Sequence, residues 1–387
     1  MLTALVLLPL LGSAPPIVAQ SPVLVVPARF DAEGLGQFLV PVTVRGKVFW
    51  CSLDSGGSWV FRLDTAKALA AGLTPNSTGS NSGPGPDVIR DERVRGVTAQ
   101  LGALVLPSLT IVLSPLPEIV PDMDCVFGLG ILQDHVAQFD YAKPELRLFE
   151  AGSFQPPPRA VAVPFELDRF RLPLLKTTMR LAGDDSVAAT LILDTGASYY
   201  GTVLVKRFVD EQNVRRRAGP VVAQASHTPG LALSAVRLGA LRVGSFEMRG
   251  PIAALLDNPS AGPIHDGLIG AGFFKHFTVT FDYGRRQLWL EPTSPLPDRQ
   301  MFDASGVEFA HAPNGRYRVH DVIAGTPAAG AGIQKGDLLV SLDGRDAREL
   351  TIGAIKDALR TSGANRTFVL MRGDAPLTIT LQLKELL

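Results

Sequence analysis

Leu191-Ile192-Leu193-Asp194-Thr195-Gly196-Ala197-Ser198 passes from three apolar, strand-forming residues directly into an acid, a hydroxyl and a glycine. The apolar run reads as a buried strand, and Gly196 lets the backbone turn back tightly. Asp194 is therefore expected at a strand end in poorly solvated surroundings, where a carboxylate is costly unless something compensates it. An Asp-Thr-Gly turn after a strand is common on its own, so its meaning depends on the rest of the chain.

A second apolar strand, Val48-Phe49-Trp50-Cys51-Ser52-Leu53, ends in Asp54-Ser55-Gly56-Gly57. Asp124-Cys125-Val126-Phe127-Gly128-Leu129-Gly130, followed by Phe139-Asp140-Tyr141, has its counterpart at Asp266-Gly267-Leu268-Ile269-Gly270-Ala271-Gly272, followed by Phe281-Asp282-Tyr283. The acids stand 140 positions apart (54 to 194) and the second landmarks 142 apart (124 to 266). Val163-Pro164 echoes Val26-Pro27, and stretches of helical composition at 63–71 and 203–210 occupy matching places. Two copies without a shorter period predict two related β-rich lobes facing one another rather than a solenoid. They are placed at 22–155 and 156–297, with Pro156-Pro157-Pro158 as a stiff connector. Residues 23–27, 38–44 and 94–112 read as strand, and 74–85, rich in Gly, Ser, Asn and Pro, as a mobile loop.

With 387 residues, 46% hydrophobic and 19% charged, the chain can bury several cores. Formal net charge is zero, and Arg215-Arg216-Arg217 is too short a cluster for nucleic-acid or polybasic membrane binding. Residues 1–21 carry an apolar run too short to span a bilayer, followed by small residues. The expectation is an exported protein, periplasmic or secreted, without a stable membrane span, its leader cleaved or left as a tether. Cys51 and Cys125 are the two cysteines, which excludes metal clusters of cysteine and permits at most one disulfide. Six histidines show no ligand spacing, so neither metal nor cofactor is expected.

Residues 298–387 differ in texture and read as a small α+β domain. Strands are expected at 317–323, 338–342, 368–371 and 377–381, with a helix capped by Thr351 and carrying Ile352, Ile355 and Leu359 on one face.

One carboxylate from each lobe, set on strand-end turns, can meet at the interface. Two such groups cannot both ionise comfortably; they share a proton and work as acid and base together on a bound water. Asp54-Ser55-Gly56 and Asp194-Thr195-Gly196-Ala197, each followed by an apolar-apolar-Gly strand (Val126-Phe127-Gly128 and Leu268-Ile269-Gly270), resemble the two halves of a retropepsin-like or pepsin-like aspartic protease, here in one chain. The resemblance covers about 22–297 and implies two β-barrel lobes, a catalytic pair Asp54 and Asp194, and support from Ser55, Gly56, Thr195, Gly196, Gly128 and Gly270. It also implies polypeptide substrates, a monomer sufficient for the site, and flaps at 74–85 and 218–229. Gly57 stands where the family has Ala or Ser, and neither flap stretch holds a Tyr. Trp59, Tyr199 and Tyr200 are candidate cleft walls.

Gly325-Thr326-Pro327-Ala328, Ala331-Gly332-Ile333, Lys335-Gly336-Asp337 and Asp343-Gly344-Arg345 resemble a PDZ domain. That resemblance implies capture of peptide C-termini beside a strand, expected at Gly315, Arg316, Tyr317, Arg318 and Val319. Two other classes compete with this reading. A serine protease built on Asp54-Ser55-Gly56-Gly57 fails on order, because the first histidine, His135, follows Ser55, and it leaves Asp194 unexplained. A scaffold that binds peptides without cutting them fits the same lobes.

Overall fold

A computed structural model describes residues 21–30, 36–57, 61–82, 88–116, 122–128, 130–197, 200–224, 231–259, 265–312 and 315–387. The expected leader lies outside the described residues up to position 20, as do Trp59 and Tyr199. The fold is mainly β, with two barrel-like lobes and a third small domain.

Both lobes follow one plan. In the first, Phe38–Val44 turns back through Arg45 and Gly46 into Lys47–Leu53. That strand runs parallel to Cys125–Phe127, which is antiparallel to Phe61–Leu63. In the second, Pro173–Ala182 pairs with Asp185–Leu193, which runs parallel to Gly267–Ile269, itself antiparallel to Thr202–Leu204. Register sets Leu53 against Phe127 and Leu193 against Ile269. These residues are buried, as a parallel pair covered on both faces requires. Each acid thus leaves its strand where the later apolar strand closes beneath it.

A six-stranded sheet joins the lobes. Its order is Leu24–Pro27, Glu145–Glu150, His135–Asp140, Phe277–Asp282, Gln287–Pro292, Val161–Pro164. The two duplicated Phe-Asp-Tyr strands are neighbours at its centre, with Ala137 opposite Phe281. Ring contacts Phe38–Phe139, Phe38–Tyr141, Phe139–Phe281 and Phe165–Tyr283, at 5.2 to 6.0 Å between centroids, carry the core from one lobe into the other.

Two local expectations change. The loop read at 74–85 contains the strand Ser77–Ser82, paired with Val88–Leu101. Ser, Thr, Gly and Asn give no apolar alternation, so the backbone ladder, helped by Arg93 donating to the Ser80 carbonyl at 2.9 Å, carries this strand. The helices shorten to Thr65–Ala70 and Lys206–Glu211, because Leu63 and Leu204 end strands instead.

The third domain orders its sheet Val307–Ala312, Arg316–Val322, Leu338–Leu342, Asn365–Arg372, Ala375–Gln382. Its helix Ile352–Ala358 is capped by Thr351, whose hydroxyl accepts from the Ala354 N–H. The peptide strand expected at 315–319 is corrected here. Tyr317 lies opposite His311 on one side and Leu339 on the other, Arg318 lies between Ala310 and Leu338, and Val319 bonds to both Phe309's strand and the Gly336–Asp337 backbone, so these three residues are bonded on both sides, while Arg316 pairs with Ala312. Tyr317 is buried and its hydroxyl donates to the Leu350 carbonyl at 2.7 Å. Gly315 only closes the hairpin, at φ +69°. The domain is seated on the second lobe: Arg237 donates to the carbonyls of Gly250, Gln300 and Leu387, and Phe302 and Leu387 pack with Ala235 and Ile252. No helix among the described residues is long and apolar enough to cross a membrane.

Candidate active site

Asp54 and Asp194 follow directly on Lys47–Leu53 and Asp185–Leu193, and their N–H groups donate to the Phe127 and Ile269 carbonyls, each at 2.9 Å. The chain then doubles back in the same way twice. The Gly56 N–H donates to Asp54 Oδ1 and the Gly196 N–H to Asp194 Oδ1, both at 2.8 Å. A β-carbon on Gly56 would collide with the Asp194 carboxyl, and one on Gly196 would lie 2.6 Å from Asp54 Cγ. Each glycine makes room for the other lobe's acid.

The hydroxyls between them lock the turns together. Ser55 Oγ donates to the Leu193 carbonyl at 2.8 Å, and Thr195 Oγ1 donates to the Leu53 carbonyl at 2.6 Å. In return the Ser55 N–H donates to Thr195 Oγ1 at 3.0 Å and the Thr195 N–H to Ser55 Oγ at 2.9 Å. Both side chains are fully buried. Each bond contributes about 0.5–1.5 kcal/mol, and together they fix the distance between the acids.

The Asp54 and Asp194 carboxyls are joined by a side-chain hydrogen bond. Burial raises both pKa values. Asp194 goes well above the ordinary aspartate range, because burial is reinforced by the Asp54 charge and by that shared bond. For Asp54 the bond from Asp194 and the amides of Gly56 and Gly57 oppose burial. The two carboxyls therefore titrate as one unit, with the upper step raised well above the ordinary aspartate range. The buried Tyr141 and Tyr283 hydroxyls are pushed up, by burial first and then by the acids' charge.

Residues 178–273, which contain the Asp194 turn, match the family model described as aspartyl protease, and residues 318–372 match that of the PDZ domain. The chain carries an aspartyl protease domain and a PDZ domain. A search of curated proteins returned no match. Within the aspartyl protease part the match falls on the second lobe, and the first is tied to it by the duplicated sequence and plan.

The other expected residues of the protease part fall as follows. Gly128 and Gly270 end the parallel strands and lead into the short helices Gly130–Asp134 and Ala271–Phe274. The stretches expected as flaps fall in hairpins: Ser77–Ser82 with Val88–Leu101, and Val221–Gln224 with Leu233–Arg237; tips 83–87 and 225–230 lie outside the described residues. Tyr200 reaches the second hairpin, its hydroxyl donating to Gln224 Oε1 at 2.8 Å. Cys51 and Cys125, opposite one another in register, form a disulfide. Among the described residues no group of three or more His, Cys, Asp or Glu is placed to hold a metal ion.

Sequence reasoning missed three supports. Asp124 Oδ2 accepts from the Trp50 N–H at 2.7 Å and Asp266 Oδ2 from the Thr190 N–H at 2.8 Å, each fastening an acid-bearing strand. Lys67 and Arg207 pair with these two carboxylates. Gln37, buried, donates through Nε2 to the Gly196 carbonyl at 3.0 Å and accepts through Oε1 from Ser52 Oγ at 2.6 Å. The repeated acids at 124 and 266 were a usable signal for the first two. For Gln37 the only signal was a polar pair, Gln37 and Ser52, where the other copy has Leu172 and Ile192.

Proposed function

We propose that the chain is an aspartic-type endopeptidase that hydrolyses peptide bonds in polypeptide substrates with a water activated by Asp54 and Asp194. The observation that supports this reading is a pair of buried carboxyls on matching strand-end turns, locked together by Ser55 and Thr195 and coupled in their ionisation. Asp54 takes a proton from water as its oxygen bonds to the scissile carbonyl carbon, and Asp194 gives its proton to the carbonyl oxygen. The tetrahedral diol then collapses: Asp54 passes its proton to the leaving nitrogen, the C–N bond breaks, and Asp194 regains a proton from the diol. Both acids come from one chain, so a monomer suffices. The PDZ domain supplies a second peptide-binding surface, and export to the periplasm or exterior is proposed from the leader.

The test is cleavage of an unfolded polypeptide by purified protein between pH 3 and 8. The expected result is acid-stimulated cleavage, blocked by a pepstatin-type inhibitor and lost in Asp194→Asn. A second reading, a peptide-binding scaffold without catalysis, draws on the absence of Tyr from both flap stretches. Wild type that cuts nothing across that range decides for the scaffold.

A further inference from the structure

The PDZ sheet has a terminal strand, Val307–Ala312, paired among the described residues with Arg316–Val322 alone. A peptide that adds a strand to such an edge and ends there leaves its carboxylate at backbone N–H groups beside the edge strand's start, a concavity suited to anions. Here those N–H groups belong to Ser305, Gly306 and Val307, all buried. They are taken. The Ser305 N–H donates to Asp303 Oδ2 at 3.1 Å and the Gly306 N–H donates to the same oxygen. Ser305 Oγ donates to Asp303 Oδ1 at 2.7 Å and accepts from the Val307 N–H at 3.1 Å.

The loop is also held in place from outside. The Ala304 N–H donates to the Leu359 carbonyl at the end of helix Ile352–Ala358, and the Lys384 N–H donates to the Ala304 carbonyl, both at 2.9 Å. The Ala328 and Ile323 N–H groups donate to the Ser305 and Gly306 carbonyls, both at 2.9 Å. Gly306 sits at φ +77° with Thr326 packed where a β-carbon would be. Burial raises the Asp303 carboxyl to about 6, with the nearby charge of Glu308 acting the same way, so it is ionised at neutral pH. A second carboxylate arriving there would meet two negative groups and no vacant N–H.

We infer that the PDZ domain takes an internal, extended polypeptide segment along the Val307–Ala312 edge, not a free C-terminus, because Asp303 is the carboxylate its amide nest already holds. Main-chain hydrogen bonds to the edge supply the affinity, and the ligand needs no chain end. This rests on the domain being a peptide binder and stands whether or not the acid pair is catalytic.

The test uses the full chain carrying Asp194→Asn, so that no peptide is cut. Two random dodecapeptide libraries of equal diversity are selected against it, one displayed internally and one with free C-termini. Enriched sequences are then synthesised as free acid and as amide. The expected result is enrichment from the internal library, acid and amide binding alike, and slowed hydrogen exchange at 307–312 on binding. Enrichment from the free-terminus library alone, with the amide about tenfold weaker, overturns the inference, as does absence of protection at 307–312. In a folded Asp303→Ala variant the emptied nest is expected to favour the acid form by about tenfold; equal binding of both forms there also counts against it. If that variant does not fold, the acid and amide comparison on the parent chain decides alone.

Discussion

Behind Asp54 the parallel strand pair is cross-linked, Cys51 to Cys125, while the same two positions behind Asp194 are Leu191 and Gly267, in register and without a covalent link. Beside them, Gln37 and Ser52 form a polar pair where the second lobe has Leu172 and Ile192. After the turn, Gly57 stands opposite Ala197, and a β-carbon at 57 would press on Asp54 Oδ2. At the turns that meet across the lobe boundary the two copies match, hydroxyl for hydroxyl and glycine for glycine, and the one-sided tie there is the bond from Gln37 to the Gly196 carbonyl. The constraint lies at the lobe boundary. Contacts that set the spacing of the two acids have to be reciprocal, whereas supports within one lobe are free to be a disulfide in one copy and plain packing in the other.

If the acids are equal partners, Asp54→Asn and Asp194→Asn each lower kcat/KM by on the order of a thousandfold or more; one dispensable acid breaks the comparison. Cys51→Ala with Cys125→Ala tests the first lobe's own support. Opening that loop is expected to cost about 2–4 kcal/mol in urea unfolding, whereas Leu191→Ala in the second lobe loses packing alone. Thr195→Val and Ser55→Ala should each destabilise by about 1–3 kcal/mol, because each leaves a buried carbonyl and a buried N–H unpaired; a large inequality means the lock is one-sided.

Gln37→Leu with Ser52→Ile gives the first lobe the second lobe's apolar pair. Its unfolding free energy should change by less than about 1 kcal/mol, while kcat falls more than KM changes, because the Gly196 carbonyl loses its tie to the first lobe. The smallest effect is on pH dependence. Both acids have folded pKa values raised above the unfolded one, so the folded chain binds more protons and stability falls as pH climbs from about 3.9 through the folded values. Asp194→Asn removes part of that loss, and its advantage in Tm over wild type should grow from about pH 4 to pH 7.

The duplication, both acid turns and the PDZ domain were legible because each rests on local signals: an apolar run that stops at an acid, glycines at fixed offsets, a repeated register. Gln37 and Asp303 were not, since their roles arise only when distant chain is brought against them. Ser77–Ser82 escaped notice because nothing in its side chains alternates. The peptide strand is expected at 315–319 from the resemblance alone; the strand Val307–Ala312 is not among those read from the sequence, and which strand lies outermost is a property of the sheet.

The central claim, that the two lobes place Asp54 and Asp194 so that they titrate as one unit, is tested most directly by carbon-13 NMR of the aspartate carboxyls in the full chain from pH 2 to 9. Two coupled steps are expected, the upper one well above the ordinary aspartate value; in Asp194→Asn the upper step is lost and Asp54 moves upward, because the acid proton that lowers it is gone. Two independent titrations near about 3.9, with Asp54 unmoved by that substitution, would contradict it.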